Sequence, residues 1–244
     1  MNKKIALIAF LSISVSLGFS QTGTLPRINS FIDLSGTIGE SQGAIAASYV
    51  HNWRLGKTKR WEIGYGVRWT SYFGVKNDFT TAPGRLARST TFPFLIVFAA
   101  HETKNEDTLQ VQRPFTNSIN LSTNFGYHFN NHWSAGFNID VIGFTFGRTS
   151  SAVLTSNGVT KTENAARPAA FNVLLTGDND IGSLNSEFFV KYQLNNHWGI
   201  KADYQFIFVE YKTTTIKQTA PDGTMVDRFR NKANLFGVGV SYHF

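Results

Sequence analysis

Ten ionisable side chains, Asp33, Glu62, Arg68, His128, Asp140, Glu187, Lys191, Lys201, Asp203 and His243, fall at alternate positions in stretches whose intervening positions are apolar. Cations and carboxylates gathered on one side of neighbouring strands can cancel one another as ion pairs or line a narrow polar, proton-linked path. Seven of them, Glu62, Arg68, Asp140, Glu187, Lys191, Lys201 and Asp203, make the candidate polar network. Strand pairing is expected to bring Glu187 and Lys191 near Lys201 and Asp203, with Asp140 close by. A small closed interior leaves little space for anything but side chains, so the reading adopted is a structural salt-bridge plug, with a conducting path as the alternative.

Other chemistry finds less to work with. A hydroxyl nucleophile needs a histidine within hydrogen-bonding range, and only His101, beside Glu102 and in the same long connection as Ser89 and Thr90, is placed for that. Asp178, Asn179 and Asp180 between Gly177 and Gly182 supply closely spaced oxygens of the kind Ca²⁺ takes, but the run lacks a full calcium-loop pattern and reads as an Asx-rich turn. Cysteine is absent, which excludes thiolate catalysis, disulfides, cysteine metal sites and a lipoprotein anchor. No phosphate-cradling glycine loop, zinc motif or basic-aromatic nucleic-acid surface is visible, so neither a cofactor nor a metal is expected.

The elements that must position these residues follow from period-two alternation, the mark of a strand with two unlike faces. In Leu235–Phe244 the residues Phe236, Val238, Val240, Tyr242 and Phe244 alternate with Gly237, Gly239, Ser241 and His243. The same pattern runs through 29–38, 43–55, 61–73, 115–129, 133–147, 184–194 and 198–211. That makes eight expected strands, each of the ~9–11 residues that a tilted membrane crossing needs. Connections alternate between short (56–60, 130–132, 195–197) and long (74–114, 148–183, 212–230). Tyr127–Trp133 and Tyr192–Trp198 share an Asn-Asn-His-Trp ending, and Trp53, Trp61, Trp133 and Trp198 all lie beside the short turns, as an aromatic belt at one interface would.

Residues 1–20 carry Lys3 and Lys4, an apolar run from Ile5 to Phe19 and small residues before Gln21, the plan of a secretory signal peptide. Residues 21–28 are then an N-terminal periplasmic segment and 29–244 the folded body. Mean hydropathy is −0.15 and nothing after the leader is a continuous apolar helix, so a membrane protein of this composition must cross as a closed barrel. The leader, the Asn-Asn-His-Trp hairpins and the terminal Tyr-His-Phe resemble the small outer-membrane β-barrel proteins of Bacteroidota, similar in plan to the OmpA, OmpX and OmpW barrels. The fold class expected is all-β: an eight-stranded antiparallel up-and-down transmembrane barrel with short periplasmic turns and long extracellular loops. A secreted β-sandwich or lipocalin-like barrel shows the same period, and the tryptophan belt, turn asymmetry and final Phe244 argue against it.

The resemblance implies the outer membrane of a Gram-negative cell, with Tyr242 and Phe244 as the assembly signal for the barrel assembly machinery. Outer-membrane lipid and lipopolysaccharide are the implied surroundings, with Arg85, Arg88, Arg148, Arg167, Arg228 and Arg230 placed to meet lipid phosphates. One loop segment is out of character: Phe92, Phe94, Leu95, Ile96 and Phe98, within 92–100, form an apolar run expected as a lid or plug over the barrel mouth, or a contact for a small apolar ligand or surface protein. The function expected is non-enzymatic, a structural or binding role through the loops around 92–100 and 171–180. A porin-like passive channel for small or apolar solutes, similar to OmpW, is the first alternative and an outer-membrane lipid A-modifying enzyme resting on His101 the second.

Overall fold

The computed structural model describes residues 26–92, 100, 102–156, 158–175 and 177–244. The expected leader, and Phe94, Leu95, Ile96, Phe98 and His101, lie outside the described residues. The strands are β1 (Ile28–Gly39), β2 (Gln42–Leu55), β3 (Trp61–Gly74), β4 (Lys76–Thr81), β5 (Thr108–Gln112), β6 (Phe115–His128), β7 (Trp133–Gly147), β8 (Ser150–Ser156), β9 (Val159–Pro168), β10 (Phe171–Val173), β11 (Leu184–Gln193), β12 (Trp198–Lys212), β13 (Gln218–Thr219), β14 (Met225–Val226) and β15 (Arg228–His243). Among the described residues no helix is long and apolar enough to cross a membrane, a fact that does not bear on strands.

Thirteen strands form one antiparallel sheet, and twelve of them make a closed ring. The pairing of β12 with β15 crosses that ring and divides it into two circuits. The first runs β1-β2-β3-β6-β7-β11-β12-β15 and back to β1. The second runs β12-β9-β8-β5-β4-β15 and back to β12, through short joins at Tyr211–Pro168 and Phe229–Thr81. The expectation of eight strands therefore undercounts the sheet. Residues 74–114 and 148–183 are not plain loops but carry β4, β5, β8, β9 and β10, and the strand expected to begin at Leu235 begins at Arg228. These additions escape a period-two search because they are short and their core positions are as often Thr, Asn or Ala as large apolar residues.

The first circuit is polar inside and apolar outside. Ile32, Leu34, Tyr49, Val67, Phe125, Phe188, Val238 and Val240 are exposed on its outer face, while Asp33, Ser35, Arg68, Asn120, Asp140, Glu187 and Lys201 are buried within. A β-bulge between the pairs Leu121–Ile142 and Ser122–Asp140 leaves Val141 unpaired. It changes which parity of β7 faces in, so that Asn138 and Asp140 are buried below it and Thr145 above it.

The second circuit is built the other way round. Phe79, Leu109, Val111, Leu154, Ala166, Val209, Tyr211 and Phe229 are buried in one cluster that also reaches Tyr72 and Leu235 at the end of the first circuit. Burial of each large apolar side chain contributes about 1.5–3 kcal/mol. The hydroxyl of Tyr72 donates to Gln42 Oε1 at 2.6 Å and that of Tyr211 to Arg148 O at 3.1 Å, so neither phenol is left unsatisfied. This cap closes the end of the first circuit where a lid from 92–100 was expected. Phe92, the described member of that run with a large side chain, is 71% exposed.

Candidate functional site

Pairing register assembles the interior of the first circuit. Arg68 on β3 faces Asn120 on β6, which stands beside Asp140 across the bulge; Glu187 and Lys191 on β11 lie opposite Gln205 and Lys201 on β12. Arg68 is 1% exposed and every nitrogen is engaged. Its Nη2 is 2.7 Å from Asp140 Oδ1, Nη1 donates to Asn138 Oδ1 at 2.6 Å and to Glu187 Oε2 at 3.2 Å, and Nη2 also donates to Asn185 O at 2.9 Å. Asp140 Oδ2 accepts from Asn120 Nδ2 at 2.7 Å and from the Asn185 amide at 2.9 Å. Lys201 contacts Glu187 and lies 3.3 Å from Asp33 and 3.7 Å from Asp203, while Lys191 Nζ donates to Asp33 Oδ1 at 3.2 Å. A side chain at Gly239 would bring its Cβ to 2.9 Å from Lys201 Cε, so the glycine makes room for the lysine. Asp33, Arg68, Asp140, Glu187, Lys191, Lys201 and Asp203 thus form one connected cluster.

Glu62 stands apart from it, towards the short-turn end. Its carboxylate accepts from Arg54 Nε and His128 Nε2 at 2.7 Å, from Asn29 Nδ2 at 2.9 Å and from Asn52 Nδ2 at 3.1 Å. Sequence reasoning missed Arg54, although as the cross-strand neighbour of Glu62 over the 56–60 turn it was open to detection. It also missed Asn120, Asn138 and Asn185, whose amides satisfy the remaining lone pairs and protons; an asparagine on a polar face carries no signal that separates it from a solvated one.

The four tryptophans beside the short turns each meet a tyrosine: Trp53–Tyr65 at 5.6 Å, Trp61–Tyr127 and Trp133–Tyr192 at 4.8 Å, and Trp198–Tyr242 at 5.0 Å. The two Asn-Asn-His turns are copies. Asn130 Oδ1 accepts from the amides of His132 and Trp133, and Asn195 Oδ1 from those of His197 and Trp198. None of these turn residues takes the positive φ that an Asn-Asn pair permits. Tyr242 and Phe244 point outward, and Phe244 is 71% exposed.

A second ionic cluster lies on the outer face of β12 and β15, near the cap. Glu210 accepts from Arg228 Nε at 2.7 Å and Nη2 at 2.8 Å and from Arg230 Nη2 at 3.2 Å; Asp178 meets Arg88, and Lys232 at 2.6 Å. Burial works against the Asp178 charge, but Lys232 and Arg88 outweigh it and hold the carboxyl below its usual range, whereas burial pushes neighbouring Asp180 up. Arg88, Arg228 and Arg230, expected near the rim to meet lipid phosphates, are engaged with carboxylates of the protein itself, as Arg85 is with Asp222 at 2.8 Å. In the stretch 171–180, expected as a contact loop, Asn172, Asp178 and Asp180 are buried while Phe171 and Leu175 are exposed. Asp178 and Asp180 hold side-chain cations and a backbone amide, and among the described residues no group of three His, Cys, Asp or Glu side chains could hold a metal.

No family model and no curated protein matches the sequence. Among solved structures the chain is similar to small outer-membrane β-barrels. Neisserial surface protein A shares 9% identity over 89% of this chain and 96% of its own, with a TM-score of 0.33. The attachment invasion locus protein Ail of Yersinia pestis shares 8% over 90% and 100%, also at 0.33. The toluene transporter TodX of P. putida shares 10% over 90% and 79%, at 0.24.

Within the cap, Glu163 on β9 is the centre of a further site absent from the sequence reading. Its carboxylate accepts from the amides of Ala165, Thr214, Thr215 and Ile216 and from the hydroxyls of Thr214 and Thr215, at 2.8–3.2 Å. Burial raises its pKa, but the converging amides prevail and hold it down at about 2. The strap of residues 213–217 is thereby tied to β9.

Proposed function

We propose that this chain is an integral outer-membrane β-barrel protein, eight-stranded where it crosses the bilayer, with its short turns in the periplasm and its cap outside the cell. The observation that carries the reading is the inversion of polarity in the first circuit. An outer face of exposed Ile, Leu, Val, Phe, Tyr and Trp encloses an interior of paired charges and amides, an arrangement stable with hydrocarbon outside and unfavourable in water. Tyr242 and Phe244 serve as the assembly signal, and the tryptophan–tyrosine pairs fix the periplasmic interface.

The role is non-enzymatic: a closed barrel that presents a rigid cap as a structural or binding surface. Support comes from the ion-pair cluster around Arg68, whose charges are paired inside the barrel, and from the apolar cluster above it. The mature protein, refolded into a planar bilayer after folding has been verified by heat-dependent gel migration, is expected to give no discrete conductance. Reproducible single-channel steps would overturn the closed-barrel reading and favour a passive channel.

A further inference from the structure

The interior below the Lys191–Asp33 pair is not filled. A cavity of about 370 Å³ opens there at the short-turn end, within the size range of small-ligand sites. The charged side chains Arg54, Glu62 and Lys191 at its wall already have their opposites, and the terminal carboxylate is on Phe244, a lining residue 71% exposed to solvent. Arg54 is bound to Glu62, whose carboxylate takes four donors. Lys191 is bound to Asp33 and sits 3.6 Å above the Phe31 ring. A charged ligand would have to break one of these pairs, which favours an uncharged one.

The side-chain hydrogen-bonding groups left over are uncharged. Asn29 donates its amide to Glu62, so its oxygen faces His243 Nδ1, 2.9 Å away, and that nitrogen carries the proton. The other ring nitrogen, Nε2, is buried out of reach of the cavity. His132 is fixed alike, with Nδ1 donating to Gln193 O at 3.0 Å and Nε2 left as an acceptor. Asn195 spends its oxygen on two turn amides and keeps its NH₂. Acceptors and donors thus share the wall with the ring of Phe189, and a molecule dense in hydroxyl groups, each both donor and acceptor, meets that mixture.

We propose that this vestibule is a binding site for a neutral saccharide unit entering from the short-turn side. The site is separate from the cap surface, so its existence does not depend on what the cap contacts.

Gly126 lines the cavity, and a Cβ there would lie 3.5 Å from Glu62, an ordinary contact. Gly126→Leu therefore fills the space without removing a charged pair. His132→Phe keeps a ring against Tyr192, 5.7 Å away, and removes the acceptor at the wall. The test is saturation-transfer NMR on the refolded mature protein in micelles, with maltose and N,N′-diacetylchitobiose as neutral probes and spermidine and acetate as charged ones. Transfer to a disaccharide is expected, abolished by Gly126→Leu and weakened about tenfold, the equivalent of one hydrogen bond, by His132→Phe. Three outcomes overturn the proposal: transfer that survives Gly126→Leu in a folded protein, transfer to a charged probe alone, or no transfer to either sugar.

Discussion

The two circuits are made of the same kind of sheet, share β12 and β15, and bury opposite things. Along one face of β12, Lys201, Asp203 and Gln205 give way to Ile207, Val209 and Tyr211, all buried. On β15, Ser241 on the inner face is succeeded towards the cap by Leu235, Ala233 and Phe229. The outer faces change in the opposite sense, from Phe206, Phe208, Phe236 and Val238 to Glu210, Arg228, Arg230 and Lys232. The β12–β15 register runs through the crossover without a break. In the proposed membrane reading the contrast follows the surrounding medium, since a strand acquires whichever face-to-face contrast that medium rewards, and the outer edge of the hydrocarbon layer is proposed to lie between Phe208 and Glu210 on β12 and between Lys232 and Phe236 on β15.

The comparison can be broken most severely at Arg68. Arg68→Ala leaves Asp140 and Glu187 buried with no guanidinium, and is expected to cost about 4 kcal/mol, read as a lower urea midpoint in the gel-migration assay of folding. A cost within error of zero would mean that water reaches the cluster. Phenylalanine offers the sharper contrast because it serves both regions. Phe79→Ala removes a cap core ring and leaves a cavity, at about 3–4 kcal/mol. Phe236→Ala forfeits only transfer from water, at about 2 kcal/mol, since lipid closes over the gap. Equal costs by the same urea measurement would deny that their surroundings differ.

Glu163→Gln is expected to cost about 2 kcal/mol by weakening the amide cluster that ties the 213–217 strap to β9. The carboxyl is depressed on folding, so its stabilisation is full above its ordinary value near 4.5 and is lost as the pH falls towards 2. Protease nicking of the cap should rise through that acid window in the native protein and be flat in the variant. The smallest effect belongs to Asp203, the fourth carboxylate beside three cations and 3.7 Å from Lys201. Asp203→Asn removes the surplus negative charge of this buried set and is expected to change stability by no more than about 1 kcal/mol, and a loss as large as that of Arg68→Ala would assign it an equal part in the cluster.

Alternation made the long strands legible from sequence because both faces of 61–73 or 198–211 are consistent over many residues. It also predicted the neighbourhood of Glu187, Lys191, Lys201 and Asp203, since adjacent hairpin strands leave little freedom of register. Three features resisted. The β7 bulge swaps parity at Val141, and its trace, Ile142, Phe144 and Phe146 out of step with Phe137 and Ile139, is visible only once a bulge is sought. The cap strands β4, β5, β8 and β9 each contribute only one or two residues, such as Phe79 or Ala152 and Leu154, to a core shared among several strands, so no one stretch shows the pattern. Glu163 is satisfied by backbone amides from a segment some fifty positions away, and amides have no sequence signature.

That β15 belongs to both circuits has a consequence in time. It pairs with β1, whose partner residues stand more than two hundred positions earlier, Phe31 opposite His243, and with β12 and β4. Neither circuit can shut before this strand arrives, and contacts of such long sequence separation form slowly. The cap is thus an indicator of completed closure: a surface probe that recognises its closed form would count finished molecules and pass over those still open along the β1–β15 seam.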